Sequence, residues 1–180
     1  MLRYTLLRTA LSPLLVLADE HGFRRLEFLP RAYQAPTRAH AVAARLGEPD
    51  PPRADPAAFT ELRRRLAAYL VGEGDLAGLP LSLHGTPFRR AVWTEVLRLA
   101  PGELTTYRRV ARAVGEPQAT RAVGSALAAN PLPLLVPCHR VIGSDGRLTG
   151  YAGGLSLKAQ LLRLEGHHVE GDRLIPPQLF

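Results

Sequence analysis

The chain has 180 residues, 46% of them hydrophobic, with 23 Lys and Arg against 16 Asp and Glu and a single cysteine. That composition supports a packed core in one domain or two small ones, and one cysteine excludes both an internal disulfide framework and a multi-cysteine zinc site. A net charge of +7 and a sequence pI near 10.5 favour a polyanionic partner, although Lys158 is the only lysine and a genome biased towards arginine gives the same surplus without any function. No long apolar segment follows Met1, and no apolar run approaches the roughly 18 residues of a membrane span. The expectation is a soluble protein in a reducing cytoplasm, with no membrane partner.

Residues 2–28 read as strands. Tyr4 to Leu7 and Leu14 to Leu17 flank a Ser12-Pro13 turn, and Asp19 to Gly22 makes a hairpin-like break before Phe23 to Phe28. Pro30 to Pro56 is rich in Pro and Ala and reads as a connection with one short helix, Ala39–Leu46. Asp55-Pro56 supplies an N-cap and a proline for the first helical position. The helix that follows spaces Phe59, Leu62, Leu66, Tyr69 and Leu70 along one face, with Arg63-Arg64-Arg65 mostly on the other, and Gly72-Glu73-Gly74 ends it. Residues 78–86 look extended and lead to a domain boundary at Gly85-Thr86-Pro87.

The second half has a different texture. Thr86-Pro87 opens a helix carrying Phe88, Val92, Trp93, Val96 and Leu97, which ends near Pro101-Gly102. Thr105-Thr106 caps a short helix, Tyr107 to Val114, stopped by Gly115, and Glu116-Pro117 opens another that runs to Asn130. Two short helices joined at a glycine are a helix-turn-helix pattern, and equally that of an ordinary helical hairpin. The second helix is thin, with Ala119, Ala122, Gly124, Ser125, Ala126, Ala128 and Ala129 around a core stripe of Val123 and Leu127. Arg121 lies roughly 200° from Val123 at 100° per residue and faces outward, where it either pairs with phosphate, enters a duplex or is simply solvated.

Chemistry concentrates in Asn130 to Val141, Asn-Pro-Leu-Pro-Leu-Leu-Val-Pro-Cys-His-Arg-Val. Asn130 suits the left-handed position that ends a helix, and Pro131 prevents continuation. Leu134-Leu135-Val136 reads as a buried run delivering Pro137-Cys138-His139. A free cysteine is usually inert, but a neighbouring histidine and prolines that fix the backbone favour a reactive thiolate. On an extended strand the two side chains point apart, so Cys138 and His139 couple only through a turn or a bridging water, and the water is the favoured route. Such a histidine needs a partner that fixes its tautomer. Glu165 is a candidate, after a helix Ser156 to Leu164 that buries Leu157, Leu161 and Leu164 and ends at Gly166. A carboxylate there faces the negative helix end, and His139, Arg163, His167 or solvent can each offset it. Between these elements lie a Gly143–Gly146 turn and the glycine-rich stretch Leu148 to Gly154. The latter lacks any phosphate-binding fingerprint and suits a flat base stacked on Tyr151.

Taken in order, Thr86-Pro87-Phe88 with Trp93, Gly102-Glu103-Leu104-Thr105-Thr106-Tyr107, Arg121-Ala122-Val123-Gly124, Asn130-Pro131, Pro137-Cys138-His139-Arg140-Val141 and Tyr151-Ala152-Gly153-Gly154 resemble the O6-alkylguanine-DNA alkyltransferases (methylated-DNA–protein-cysteine methyltransferases). The likeness runs from about Gly85 to His167. It implies an α+β chain with a small N-terminal α/β domain and short sheet over 1–84 as a structural unit. A mainly helical DNA-binding and alkyltransferase domain with a helix-turn-helix follows over 85–180. It further implies direct-reversal DNA repair by a probe of double-stranded DNA through the minor groove, acting as a monomer with no cofactor and no metal.

In that resemblance Cys138 takes the alkyl group from O6 of guanine, with O4 of thymine a further candidate, and keeps it as a stable thioether. His139 makes the thiolate through water, held by Glu165, and Asn130 fixes the site. Arg121, beside Ala122, fills the gap left by the flipped base. Tyr107 crowds the nucleotide and donates to it, while Pro133 and Tyr151 wall the pocket. The carbonyls of Cys138 and Val141 accept from the exocyclic amine, and the Ala152 N–H binds the base oxygen; the donors stabilise the leaving guanine. Thr149 stands where some members have glycine, which narrows the pocket against bulky groups. Ala152 replaces a serine of other members and keeps the N–H. Two rivals remain at this stage: a DNA-binding module with a structural cysteine, and a small-molecule hydrolase built on Cys138, His139 and Glu165.

Overall fold

Apolar residues crowd the first thirty positions and pair into three antiparallel strands, β1 (Arg3–Leu7), β2 (Leu14–Asp19) and β3 (Gly22–Phe28). The computed structural model describes residues 1–175, which divide between two units, Met1–His84 and a second beginning at Gly85. In the first unit the sheet order is β3-β2-β1-β4, and all six residues of β2 are buried. Its unbroken Leu-Leu-Val-Leu-Ala run follows from having both faces covered, which removes the polar alternation of a half-exposed strand. Leu15 and Leu17 pack with Leu2, Leu29 and the Ala39, Val42 and Ala43 face of α1 (Ala35–Arg45).

α1 begins at Ala35, four residues before the expected Ala39, because Pro36 falls in the first turn, where its missing N–H costs no helical bond. The Pro-rich connection is also more ordered than expected, since Arg53–Ala54 forms β4 and pairs in parallel with β1. The Asp55 carboxylate accepts from the Ala58 N–H, and a 3-10 turn leads into α2 (Thr60–Tyr69), which buries Leu62, Leu66 and Tyr69. Phe59 meets Phe23 with ring centroids 5.9 Å apart.

The stretch 78–86 is only locally extended: Leu81 bridges to Phe23, and its neighbours are irregular. Yet it closes the unit. The Phe23 N–H donates to the Pro80 carbonyl, the Ser82 N–H to the Phe23 carbonyl (both 2.8 Å), and the Ser82 hydroxyl to Asp19 at 2.8 Å. Gly22 is required there, because at φ +141° a Cβ would sit 2.3 Å from the Pro80 oxygen.

The second unit is mainly helical, and the whole chain is α+β. Thr86 caps α3 (Pro87–Val96) by accepting from the Arg89 N–H, and the Trp93 indole donates to the Ala126 carbonyl at 2.9 Å, fastening α3 to α5 (Thr120–Ala128). Thr106 caps α4 (Tyr107–Ala113), and Gly115, at φ +81°, turns the chain from α4 towards α5 in the helix-turn-helix arrangement. α5 starts at Thr120 and not at Glu116-Pro117. Residues 116–119 instead form a turn closed by the Ala119 N–H on the Glu116 carbonyl at 2.8 Å. Thr105–Thr106 (β5) pairs in parallel with Val141–Ile142 (β6), so the start of α4 is pinned beside the segment that follows Cys138. α6 (Leu155–Leu164) and a small hairpin, β7 (Val169–Glu170) with β8 (Arg173–Leu174), complete the described chain. α6 buries Leu157, Lys158, Ala159, Leu161 and Leu162, whereas Leu164, expected inside, is half-buried. No helix among the described residues is long and apolar enough to cross a membrane.

Candidate active site

After α5 the chain folds back on itself around Asn130. This residue is not left-handed; among the described residues Leu134 is the non-glycine with positive φ, at +76°. Asn130 instead organises the turn with its buried side chain. Its Oδ1 accepts from the Leu132 N–H at 2.9 Å, and its Nδ2 donates to the Val136 carbonyl at 3.0 Å and to Cys138 Sγ at 3.1 Å. Leu134 to Val136 is therefore a tight buried turn and not a strand, with the Val136 N–H bonded to the Leu132 carbonyl. The following residues, Cys138–Arg140, form one turn of 3-10 helix. The chain thus turns at the Cys-His pair, one of the two routes by which those side chains can couple.

Cys138 is buried, 6% exposed. Burial pushes it above the ordinary cysteine range, against the Asn130 amide and the Lys158 ammonium, which favour the thiolate. It borders a cavity of about 280 Å³ lined by Tyr107, Gly124, Leu127, Ala128, Cys138, Gly150, Tyr151 and Ala152. That is the small end of ligand-pocket volumes, which run from roughly 300 to 1,000 Å³. A larger hollow of about 620 Å³ lies on the first unit beside Phe28, Tyr33 and Arg38, but neither cysteine nor histidine lines it.

Behind the thiol lies a charged cluster. His139 Nε2 is 3.0 Å from Glu165 Oε1, with both side chains almost fully buried. A carboxylate only accepts, so Nε2 carries the proton and Nδ1 is the basic nitrogen. Burial pushes the imidazole below its ordinary range, offset in part by Glu165 and reinforced by the charges of Arg140 and Lys158, so His139 is a neutral base near neutral pH. Of the partners the sequence left open for Glu165, His139 is in hydrogen-bond contact with it, while Arg163 donates to the Val169 carbonyl and His167 meets the Gly102 carbonyl.

Arg140 was not foreseen. Its Nε and Nη2 grip both Glu165 oxygens at 2.6–3.1 Å, and Nη1 donates to the Leu99 carbonyl at 2.6 Å. The Gly102 N–H adds a further donor to Glu165 at 3.2 Å. The negative end of α6 is thus met by a guanidinium, and the histidine is spared that duty.

Tyr107 and the glycine-rich loop meet across the cavity mouth. The Thr149 hydroxyl donates to the Tyr107 oxygen at 3.0 Å, and the Tyr107 hydroxyl reaches the Thr149 carbonyl at 3.4 Å. Burial raises the phenol above its ordinary range and keeps it a donor. Tyr151 meets His139 edge-on, centroids 6.2 Å apart at 79°.

Four of the expected site residues, Cys138, Tyr107, Tyr151 and Ala152, share the cavity wall, while Asn130, His139 and Glu165 stand behind it. Arg121 and Ala122 are exposed on the first turn of α5, outside the cavity lining, and Pro133 is buried and likewise outside it. The Val141 carbonyl, expected to meet a base amine, already accepts from Lys158 Nζ at 2.6 Å. Lys158 was the second residue missed. Its signal was present as a lone lysine on the apolar face of α6. No cluster of three or more His, Cys, Asp or Glu side chains suited to a metal occurs among the described residues.

Both units of this chain are matched by known proteins. Residues 2–83 match the ribonuclease-like domain of 6-O-methylguanine DNA methyltransferase, and residues 87–167 match its DNA binding domain. The methylated-DNA–protein-cysteine methyltransferase of Methanosarcina barkeri is 37% identical over 92% of this chain and 98% of its own. That of Mycobacterium bovis is 36% identical over 96% and 97%. Among solved structures, the O6-methylguanine methyltransferase of Mycobacterium tuberculosis superposes with a TM-score of 0.77 at 37% identity, covering 92% of this chain and 93% of the other. The Mycobacterium tuberculosis OGT in complex with DNA gives 0.77 at 36% identity over 91% and 93%. With near full-length matches in sequence and in fold, the chain belongs to the methylated-DNA–protein-cysteine methyltransferase family.

Proposed function

We propose that this protein repairs DNA by moving an alkyl group from O6 of guanine in a duplex to its own Cys138, once per molecule. The observation that carries this reading is the placement of the Cys138 sulfur on a base-sized cavity whose opposite wall, Tyr107, Gly124, Leu127 and Ala128, belongs to the helix-turn-helix. A module that only binds DNA has no use for a histidine and carboxylate behind a buried thiol. A hydrolase of small molecules has none for a pocket wall made by a DNA-reading motif.

In the step proposed, His139 Nδ1 takes the thiol proton, directly or through one water, while Asn130 Nδ2 supports the sulfur as it becomes anionic. The sulfur attacks the alkyl carbon in line, the carbon–oxygen bond breaks, and its electron pair stays on the guanine. The Tyr107 hydroxyl and the Ala152 N–H stabilise that developing anion, which ends protonated as guanine. The thioether is stable, so no second cycle follows. Arg121, exposed at the start of α5, takes the space vacated by the flipped base, with Ala122 beside it allowing close approach. Tyr151 walls the base site, and the Val141 carbonyl, which already accepts from Lys158, offers its second lone pair to the base amine. We place the protein in a reducing cytoplasm, where the thiol persists.

The test is the mass of the protein after incubation with a duplex containing O6-methylguanine. One methylene of added mass on the Cys138 peptide is expected, with none on Cys138→Ser, which should still bind the duplex. Turnover beyond one equivalent would overturn the single-use mechanism, and tight binding without mass gain would leave a DNA-binding module.

A further inference from the structure

The sheet of the first unit has an unfinished edge. β4 pairs with β1 only at Arg3 and Tyr4: the Arg53 N–H donates to the Leu2 carbonyl at 2.9 Å and the Asp55 N–H to the Tyr4 carbonyl at 3.0 Å. At Pro56 the chain leaves the strand for a 3-10 turn. Alternate residues of a strand turn their backbone groups to the same edge, so after Leu2 and Tyr4 the next is Leu6. Among the described residues no backbone group bonds to Leu6 on that side. Two hollows flank this stretch, one of about 480 Å³ walled by Leu66 and Leu70 of α2, the other of about 450 Å³ walled by Tyr4, Tyr33 and Pro36. Leu6, Arg8 and Arg63 line both. Neither arginine has a carboxylate partner among the described residues: Glu61 is taken by Arg64 and Arg65, and Asp55 faces Arg3 at 4.0 Å.

We propose that the open edge of β1 at Leu6–Arg8 docks an extended acidic peptide of a partner protein, added to the sheet as a strand beyond β4. Its main chain pairs with Leu6, its alternate side chains enter the two hollows, and its carboxylates meet Arg8 and Arg63. Each part answers a different feature. An open strand edge recognises main chain, apolar walls recognise leucine-like side chains, and guanidiniums recognise carboxylates. Duplex DNA supplies anions, but neither a main chain for the edge nor apolar side chains for the hollows. A second copy fits less well, because the acids of its own sheet strands are engaged: Asp19 with Arg24 and Ser82, Glu27 with Arg25 and Arg38. Arg8 also keeps two copies of the edge apart, since like charges oppose such pairing. Residues 176–180, Pro-Pro-Gln-Leu-Phe, hold no acidic side chain.

The test titrates the 15N-labelled full chain with a peptide of alternating leucine and glutamate. The amide signals of Leu6 and Arg8 should shift, and their hydrogen exchange should slow as the edge is paired. Replacing both arginines, Arg8→Glu with Arg63→Glu, should weaken binding by about tenfold or more, the loss expected when charge-assisted contacts turn repulsive. No binding to wild type at peptide concentrations of about 1 mM overturns the proposal. So do shifts confined to other parts of the chain, or equal affinity for the folded double variant.

Should the double variant not fold, the wild-type chain answers with a second peptide in which lysine replaces glutamate. It keeps the strand pattern and the leucines, and it should not bind. Equal binding of the two peptides overturns the proposal, because the arginines would then select nothing. Two other occupants are read from the same proteins. A fall of about tenfold in duplex affinity in the double variant, without peptide binding to wild type, gives the surface to DNA. A concentration-dependent dimer of wild type that the double variant loses gives it to a second copy. Either result overturns the proposal.

Discussion

Glu165 accepts from an imidazole, a guanidinium and a backbone N–H at once, and the order of those partners sets the chemistry of the site. With Arg140 holding the carboxylate bidentately, the pair is already neutral, so His139 gains little from becoming a cation in a buried position. Its proton affinity therefore lies below that of a free imidazole, whose ordinary value is 6.5. The sign follows: the basic, neutral form persists as pH drops through 6.5 and is lost only further into acid. We expect single-turnover transfer at saturating duplex to stay flat from neutral pH through 6.5 and to decline below it. A falling limb centred above 6.5 would show that His139 is not the base or is not shielded by Arg140. Cys138, His139, Asn130 and Glu165 were legible in the sequence because three of them cluster within ten residues and the fourth ends an obvious helix. Arg140 and Lys158 were not, since their meaning depends on where α6 meets the Cys138 turn, a tertiary approach that no local pattern encodes.

α5 shows how much of an element's role lies in what it lacks. Its small residues let the Tyr107 ring come close: a Cβ on Gly124 would lie 4.0 Å from that ring, an ordinary contact. Gly124→Ala should consequently fold and gain about 1 kcal/mol from helix propensity, read as a higher thermal midpoint. Gly124→Leu, by contrast, should fill the cavity and stop methyl uptake by Cys138 while leaving duplex binding. Uptake at the wild-type rate by the leucine variant would mean that the base enters elsewhere. The existence of this helix, its thinness and its buried Val123 and Leu127 were readable from spacing. Its start was not, because Glu116-Pro117 is also good turn chemistry, and the bond from Ala119 back to Glu116 takes those residues into a turn. α1 erred the other way: its opening proline looked like connection, and only packing against Leu15 and Leu17 shows that Ala35 is already helical.

At the scale of the molecule, the surplus of +7 can be apportioned by experiment. If every excess charge released a counterion from DNA, affinity would fall with a log–log salt slope of about −6; if only the exposed Arg108, Arg109 and Arg112 of α4 do so, the slope is about −3. We expect the smaller value, measured as duplex affinity against salt, because most arginines are spread over both units or already paired with acids, as Arg64 and Arg65 are with Glu61. A slope near −6 would mean that arginines beyond α4 also contribute to binding. That unit carries a consequence of another kind. Its hairpin is completed by Pro80, Leu81 and Ser82, with Ser82 reaching back to Asp19 across 63 positions. During synthesis from the N-terminus, at about 5–20 residues per second, those closing contacts arrive only after roughly 4–16 seconds. The boundary at Gly85 comes at once afterwards. The ribosome therefore adds the residues that close the first unit just before it begins the unit that holds the thiol, so the order of translation is also an order of assembly.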